Sequence, residues 1–252
     1  MKVILFLVDG MRYASFEQFE KPKRYIAESA GSLRARTVYP PITLPSHVSI
    51  FHSVPPERHG ITTNIFTPMA DPVDGLFDIL HAAGKKCAIF HNWDELRDLY
   101  RVGHIRHSYM ARERSSELTN EYIAEEAVRY IKEFDPDFCF VYLGWVDAAG
   151  HDYGWMSERY LHAVQRSWDC IYHVLGVTDD SYTTIVTSDQ GGHGRDHSDD
   201  IPEDMLVPVL FRGKDFEPGK EIPDLKTIDI APTVARLLGV GIPENWEGTA
   251  RV

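Results

Sequence analysis

The sequence predicts an α/β protein, a three-layer α/β/α arrangement with a mostly parallel central sheet and few insertions. Continuous apolar runs of strand length recur along the chain, each bounded by turn residues. Strands buried on both faces of a parallel sheet read this way, whereas half-exposed strands alternate. Amphipathic stretches of helical period lie between the runs, as expected of helices covering both faces. No Pro/Gly/Ser-rich break divides the 252 residues into two composition regimes. Residues 1–252 are therefore expected to form one domain, at a length that suits a single large α/β unit.

The first strand is 3–8, six apolar residues that run straight into Asp9. It is too short to span a membrane and has no small-residue cleavage site behind it. Residues 46–52 read as a short helix following Pro45, which places the Thr43 hydroxyl at a helix N-terminus, where backbone N–H groups favour an anion. Cys87–His91 is the second strand. The irregular, charged stretch 92–116 is a candidate small cap, with Trp93, Tyr100, Arg106, Tyr109 and Arg112 available to stack or to bind an anion. Residues 118–134 carry a helical stripe through Ile123, Ala127, Tyr130, Ile131 and Phe134, with Thr119 or Asn120 as N-cap. The pair Asp135-Pro136 ends it. Strand 138–144 follows, then a helix over Glu158–Leu175 that stops at Gly176. Strands at 183–187 and 207–211 and a helix over 229–238, capped by Asp229, complete the expected elements.

Lys plus Arg is 26 and Asp plus Glu is 38, so the chain carries −12 with its 12 His neutral. That balance excludes a nucleic-acid scaffold, whose footprint is basic. It remains compatible with an anionic small substrate if bound cations reverse the local sign. The three cysteines, Cys87, Cys139 and Cys170, are far apart and outside any CxxC pair. They are expected to be reduced and buried, which with the absence of a targeting signal suits a cytoplasmic protein with no membrane partner.

Three of the strands lead into an aspartate: Asp9, Asp147 and Asp189. One such residue would ordinarily be a cap or turn aspartate. Three at the carboxyl ends of parallel strands form a ligand site if the strands are neighbours. His151 follows Asp147 by four residues, a spacing that puts both on one side of a helical turn. Asp189, His193 and His197 share the glycine-rich loop TSDQGGHGRDHSDD, which is too polar for a core. Carboxylate and imidazole together suit Zn²⁺ and similar divalent ions.

The segments VDGMR, TLPSH, PERHGITTN, DAAGHDYG, TSDQGGHG, DMLVP and DIAPTVARLLGVGIPENWEG, in this order, resemble the alkaline phosphatase superfamily, and most closely its type I phosphodiesterase and nucleotide pyrophosphatase branch. The resemblance spans nearly the whole chain. It implies an alkaline phosphatase-like fold, a small phosphorylated substrate and two divalent metal ions, Zn²⁺ or Mn²⁺. Asp147, His151 and His197 would hold the first ion; Asp9, Thr43 and Asp189 would hold the second. Thr43 would be the catalytic nucleophile in hydrolysis of a phosphodiester, phosphomonoester or phosphonate through a phospho-threonine intermediate.

Two positions depart from the pattern. Gln190 stands where the branch commonly has histidine, so either the Gln190 oxygen or His193 would complete the second site. An amide oxygen moves that site toward Mg²⁺, Mn²⁺ or Ca²⁺. Ser46 stands where the branch usually has a substrate-binding asparagine, and serine retains one hydrogen bond for that role. The alternatives are sulfatase-like or phosphoglycerate mutase-like phosphoryl or sulfuryl chemistry and a degenerate anion-binding protein that lacks the second metal.

Overall fold

The computed structural model of the protein describes residues 1–69, 71–112 and 116–252. Among these, seven strands form one sheet: β1 (Lys2–Val8), β2 (Ala30–Arg36), β3 (Cys87–His91), β4 (His107–Met110), β5 (Phe138–Leu143), β6 (Tyr182–Thr187) and β7 (Leu206–Arg212). Their spatial order is β2-β7-β6-β1-β5-β3-β4. The five strands from β6 to β4 are parallel, while β7 runs antiparallel to β6 and β2 antiparallel to β7. The helices are α1 (Glu20–Ala27), α2 (Thr43–His52), α3 (Pro56–His59), α4 (Leu76–Ala82), α5 (Glu117–Phe134), α6 (Trp145–Tyr153), α7 (Glu158–Leu175), α8 (Pro202–Met205) and α9 (Ile230–Leu237).

The apolar run of β1 is continuous because both faces of the sheet are covered. Val3, Leu5 and Leu7 enter one core with Val48 and Phe51 of α2, Phe77 of α4 and Val234 of α9. Ile4, Phe6 and Val8 enter the other, with Ile123 and Ala127 of α5 and Val164 and Trp168 of α7. The two-residue period of the strand thus divides one sequence run between two cores. No helix among the described residues is long and apolar enough to cross a membrane.

The expected elements are present with shifted ends. Helix α5 begins at Glu117 after Ser116 instead of behind Thr119 or Asn120. The short helix expected over 46–52 starts at Thr43. The segment expected as one helix over 229–238 is a 3₁₀ turn, Thr227–Asp229, followed by α9. Asp229 does not cap α9 through its side chain; it accepts hydrogen bonds from the Lys226 and Thr249 N–H groups and from the Arg251 guanidinium. The 92–116 stretch contains a 3₁₀ helix over Asp94–Leu99 and then β4, the last strand of the sheet. Its residues 113–115 lie outside the described residues.

Strand register positions the site. β1 pairs with β5 through Val8 and Leu143 and with β6 through Leu7 and Thr187, so the three central strands end at one level. Asp9 leaves β1 directly, Asp189 follows β6, and Asp147 lies in the first turn of α6 just beyond β5. The switch from β1 to neighbours on both sides opens the crevice in which α/β sheets bind ligands.

Burial holds three histidines of the α2 side neutral. Desolvation pulls His52, His59 and His91 below the ordinary imidazole value, His59 to about 4. A depressed folded-state value means that the unfolded chain binds more protons between about 6.5 and 4. These histidines therefore contribute a loss of stability as pH falls through that window, and in the ion-free protein His59→Gln should remove part of it, melting higher relative to the wild type at pH 4 than at pH 7. An identical pH dependence of melting temperature in His59→Gln and wild type would contradict this.

Candidate active site

The carboxyl ends of β1, β5 and β6 bring together the three aspartates expected there. Asp9 and Asp189 are fully buried and Asp147 is 2% exposed. The Gly10 N–H donates to Asp189 Oδ1 over 3.3 Å. Gly10 has φ +69°, and a Cβ there would lie 3.0 Å from Asp147 Cα. Only glycine lets the turn after β1 press against α6 in this way.

One donor set is Asp147, His151 and His197. A carboxylate or ring-nitrogen atom from each lies within 4.8 Å of the others. The Nε2 atoms of His151 and His197 stand 3.4 and 3.6 Å from Asp147 Oδ1. Their Nδ1 atoms donate to backbone carbonyls, His151 to Arg195 at 2.9 Å and His197 to Pro41 at 2.8 Å. Those bonds fix the tautomer that presents Nε2 as a ligand. With no cation, the bond His151 donates to the Asp147 carboxylate raises its imidazole to about 9, so a proton takes the position a metal ion would compete for.

The second set is Asp9, Thr43, Asp189 and Gln190. Asp9 Oδ1 accepts from Gln190 Nε2 at 2.7 Å, and Asp9 Oδ2 accepts from the Tyr142 hydroxyl. Gln190 Nε2 also lies 3.5 Å from Thr43 Oγ1. Thr43 opens α2 and is 1% exposed. His47, one turn on, donates from Nδ1 to the Thr43 carbonyl at 2.7 Å and lies 3.6 Å from Asp189 Oδ2. Burial first, then the carboxylates of Asp9 and Asp147, raise the Asp189 carboxyl well above the usual range.

These groups fit divalent cations. Three buried carboxylates crowd one crevice, and their mutual repulsion requires positive charge if all are to ionise. Gln190 Oε1, fully buried, has no hydrogen-bond partner among the described residues. The first set offers the nitrogen and oxygen ligands that Zn²⁺ takes; the second offers carboxylate and hydroxyl oxygens, which the Gln190 Oε1 would join once its amide turned from Asp9.

Not every expected residue joins the site. His193 points Nδ1 at Asp204 Oδ1 over 2.9 Å and Nε2 toward Asp199 over 3.5 Å, so it is not brought to the second set. Ser46 does lie next to Thr43, three residues along α2, buried and with no hydrogen-bond partner for Oγ among the described residues. Trp93 is 9% exposed and stacks obliquely toward His47 with centroids 6.2 Å apart, a wall of the site more than a platform. Tyr100 packs on Phe77 and hydrogen-bonds Ser108, while Arg112 is exposed.

The sequence reading passed over three residues. Asn64 Oδ1 accepts from the Leu44 N–H at 2.9 Å, which sets its amide at the α2 N-terminus beside Thr43. The polar end of PERHGITTN was the available signal. Tyr142 and Trp155 read as core aromatics, and only their polar atoms, aimed at Asp9 and Gly10, distinguish them.

Known proteins share this fold, and one family model matches the sequence. The family model described as type I phosphodiesterase / nucleotide pyrophosphatase matches residues 3–94 and 81–205. Murine ectonucleotide pyrophosphatase / phosphodiesterase 5 superposes with a TM-score of 0.79 at 15% identity, covering 98% of this chain and 98% of that one. Its inactive threonine-to-alanine variant in complex with AMP gives 0.75 at 15% identity, covering 98% and 97%. A phosphonate monoester hydrolase from Silicibacter pomeroyi gives 0.72 at 14% identity, over 99% of this chain and 75% of that one. A putative sulfatase from Bacteroides thetaiotaomicron gives 0.79 at 13% identity, over 99% and 73%. At these identities the structural likeness is one of fold, and the family match covers most of the chain. The chain belongs to the type I phosphodiesterase / nucleotide pyrophosphatase family, on an alkaline phosphatase-like α/β fold.

Proposed function

We propose that the protein is a metal-dependent hydrolase of phosphoesters, whether phosphodiester, phosphomonoester or phosphonate, with Thr43 as nucleophile. The observation that carries this reading is the placement of the buried Thr43 hydroxyl at the N-terminus of α2, beside Gln190 and the Asp9 carboxylate it binds. Support also comes from the murine relative, whose threonine-to-alanine variant is described as inactive and in complex with AMP.

Asp147, His151 and His197 would hold one divalent ion and Asp9, Thr43, Asp189 and Gln190 the other. Zn²⁺ or Mn²⁺ suits the first set, and Mg²⁺, Mn²⁺ or Ca²⁺ the oxygen-only second. When bound, such ions supply Lewis-acid stabilisation of developing charge and lower the pKa of coordinated hydroxyl and water. Thr43 Oγ1 would give its proton to solvent as it attacks phosphorus, and the bond to the leaving oxygen breaks, that oxygen departing as an alcohol with a proton taken from water. Water then attacks the phospho-threonine, its oxygen staying on phosphorus and one proton returning to Oγ1, which releases phosphate, phosphomonoester or phosphonate according to the substrate. The α2 N-terminus and its dipole face the anion, and the Asn64 amide, anchored on the Leu44 N–H, lies beside it as a donor. His47 holds the first turn of α2 against Asp189, and Trp93 and Tyr142 shield that contact from water.

The direct test is hydrolysis of p-nitrophenyl phosphate, bis-p-nitrophenyl phosphate and a phenylphosphonate ester with Zn²⁺, Mn²⁺ or Mg²⁺ added. Turnover of at least one substrate, lost to a chelator and restored by metal, is expected. Binding of phosphate with no turnover under any metal would favour an anion-binding protein instead.

A further inference from the structure

We infer that Trp155 is a positioning residue that holds the two donor sets in register, an inference that rests on the metal-dependent reading above. Trp155 follows the C-cap of α6, and its side chain is 7% exposed. Its indole meets both imidazoles of the first set, with centroids 5.0 Å from His151 and 5.8 Å from His197 in edge-on geometry. Its Nε1–H donates to the Gly10 carbonyl at 3.0 Å, and its backbone N–H donates to the Gly194 carbonyl at 2.8 Å. Gly10 follows Asp9 directly and its own N–H binds Asp189, so the indole holds the carbonyl of the residue whose amide orients the second set.

The surroundings are shaped for this ring. A Cβ at Gly150 would lie 2.7 Å from the indole, and one at Gly192 would lie 2.1 Å from it. Two glycines, one in α6 and one in the loop after β6, therefore admit it between the segments that carry His151 and His197. The Gly10 carbonyl accepts a second bond from the Tyr160 hydroxyl at 2.9 Å, and that hydroxyl in turn accepts from the Arg12 N–H at 2.8 Å. The end of β1 is thus clamped to the α6–α7 corner by two buried donors on one oxygen. A two-ion mechanism needs metal centres about 3.5–4 Å apart. Donors that come from three separate strand ends keep such a spacing only if something ties those ends together, and Trp155 joins β1, α6 and the loop after β6.

Groups beyond the ligands that orient them typically control metal affinity by 10–100-fold. Trp155→Phe keeps an aromatic wedge and removes the Nε1–H donor. It should weaken Zn²⁺ binding, measured by competition with a chromophoric chelator, by about 10-fold or more. The absorption spectrum of the Co²⁺-loaded protein should change shape, and kcat should fall with KM little altered. Tyr160→Phe, which removes the other donor to Gly10 and leaves the indole in place, should move the same readouts in the same direction. Trp168→Phe serves as the control, since Trp168 is fully buried against Phe16 and Tyr25, two turns along α7 from Tyr160. It should lower the melting temperature and leave Zn²⁺ affinity and the Co²⁺ spectrum unchanged. Wild-type affinity and spectrum in both Trp155→Phe and Tyr160→Phe would overturn the inference alone, as would an equal loss of affinity in Trp168→Phe. A wild-type protein that binds no Zn²⁺ or Co²⁺ would overturn the functional reading and this inference with it.

Discussion

Thr43→Ala should lower turnover by at least about 10³-fold, equivalent to roughly 4 kcal/mol of barrier, while the ion-free protein melts almost where the wild type does. The two halves of this expectation have different origins. Among the described residues the Thr43 hydroxyl accepts one hydrogen bond, from Gln190 Nε2 at 3.5 Å, so deleting it removes no strong hydrogen bond from the fold. The same hydroxyl is the atom proposed to form the bond to phosphorus. Ser46, three residues on in the first turn of α2, is proposed to contact the substrate and not to attack it. Acid-quenched wild-type protein should carry phosphate on Thr43 by mass spectrometry, and the variant should carry none. Unchanged turnover by Thr43→Ala would remove Thr43 from the mechanism.

Gln190→His should convert the second set from an oxygen-only site to one that retains Zn²⁺. In the native chain, elemental analysis after dialysis against Zn²⁺ should find one tightly held Zn²⁺ per chain. The second position should fill with Mn²⁺ or Mg²⁺ when these are supplied. Gln190 is fully buried, donates to Asp9 and lies near Thr43, so an imidazole at this position stands among the same carboxylates. Replacing a hard amide oxygen by a borderline nitrogen favours Zn²⁺, and two Zn²⁺ per chain are expected in the variant. Two tightly held Zn²⁺ in the native chain would show that Gln190 does not set the selectivity.

β1, β3, β5 and β6, and the antiparallel β7, were legible because these strands are buried on both faces and read as largely apolar runs. β2 and β4 were not. β2 is AGSLRAR, in which small and charged residues alternate with little apolar content, and its strand state comes from antiparallel pairing with β7. β4 is HSYM at the sheet edge, paired only with β3, and nothing in its composition separates it from the charged loop around it. Helix α6 was visible only as the four-residue spacing of Asp147 and His151, since its nine residues are too few to show a periodic stripe.

By itself the sequence determined which residues could serve as ligands, because carboxylates and imidazoles at strand ends are chemical facts of the chain, and the order of its motifs pointed to the family. Tertiary structure decided which of them meet. Asp9, Asp147 and Asp189 converge because β5, β1 and β6 are neighbours in register. His193 is drawn away because the fully buried Asp204 lies 2.9 Å from its Nδ1. Gln190 turns its amide nitrogen to Asp9, and Trp155 finds its place between two glycines. Each outcome depends on the direction of a side chain in three dimensions. Residue type and spacing restrict that direction, but only the packing of separate segments selects it.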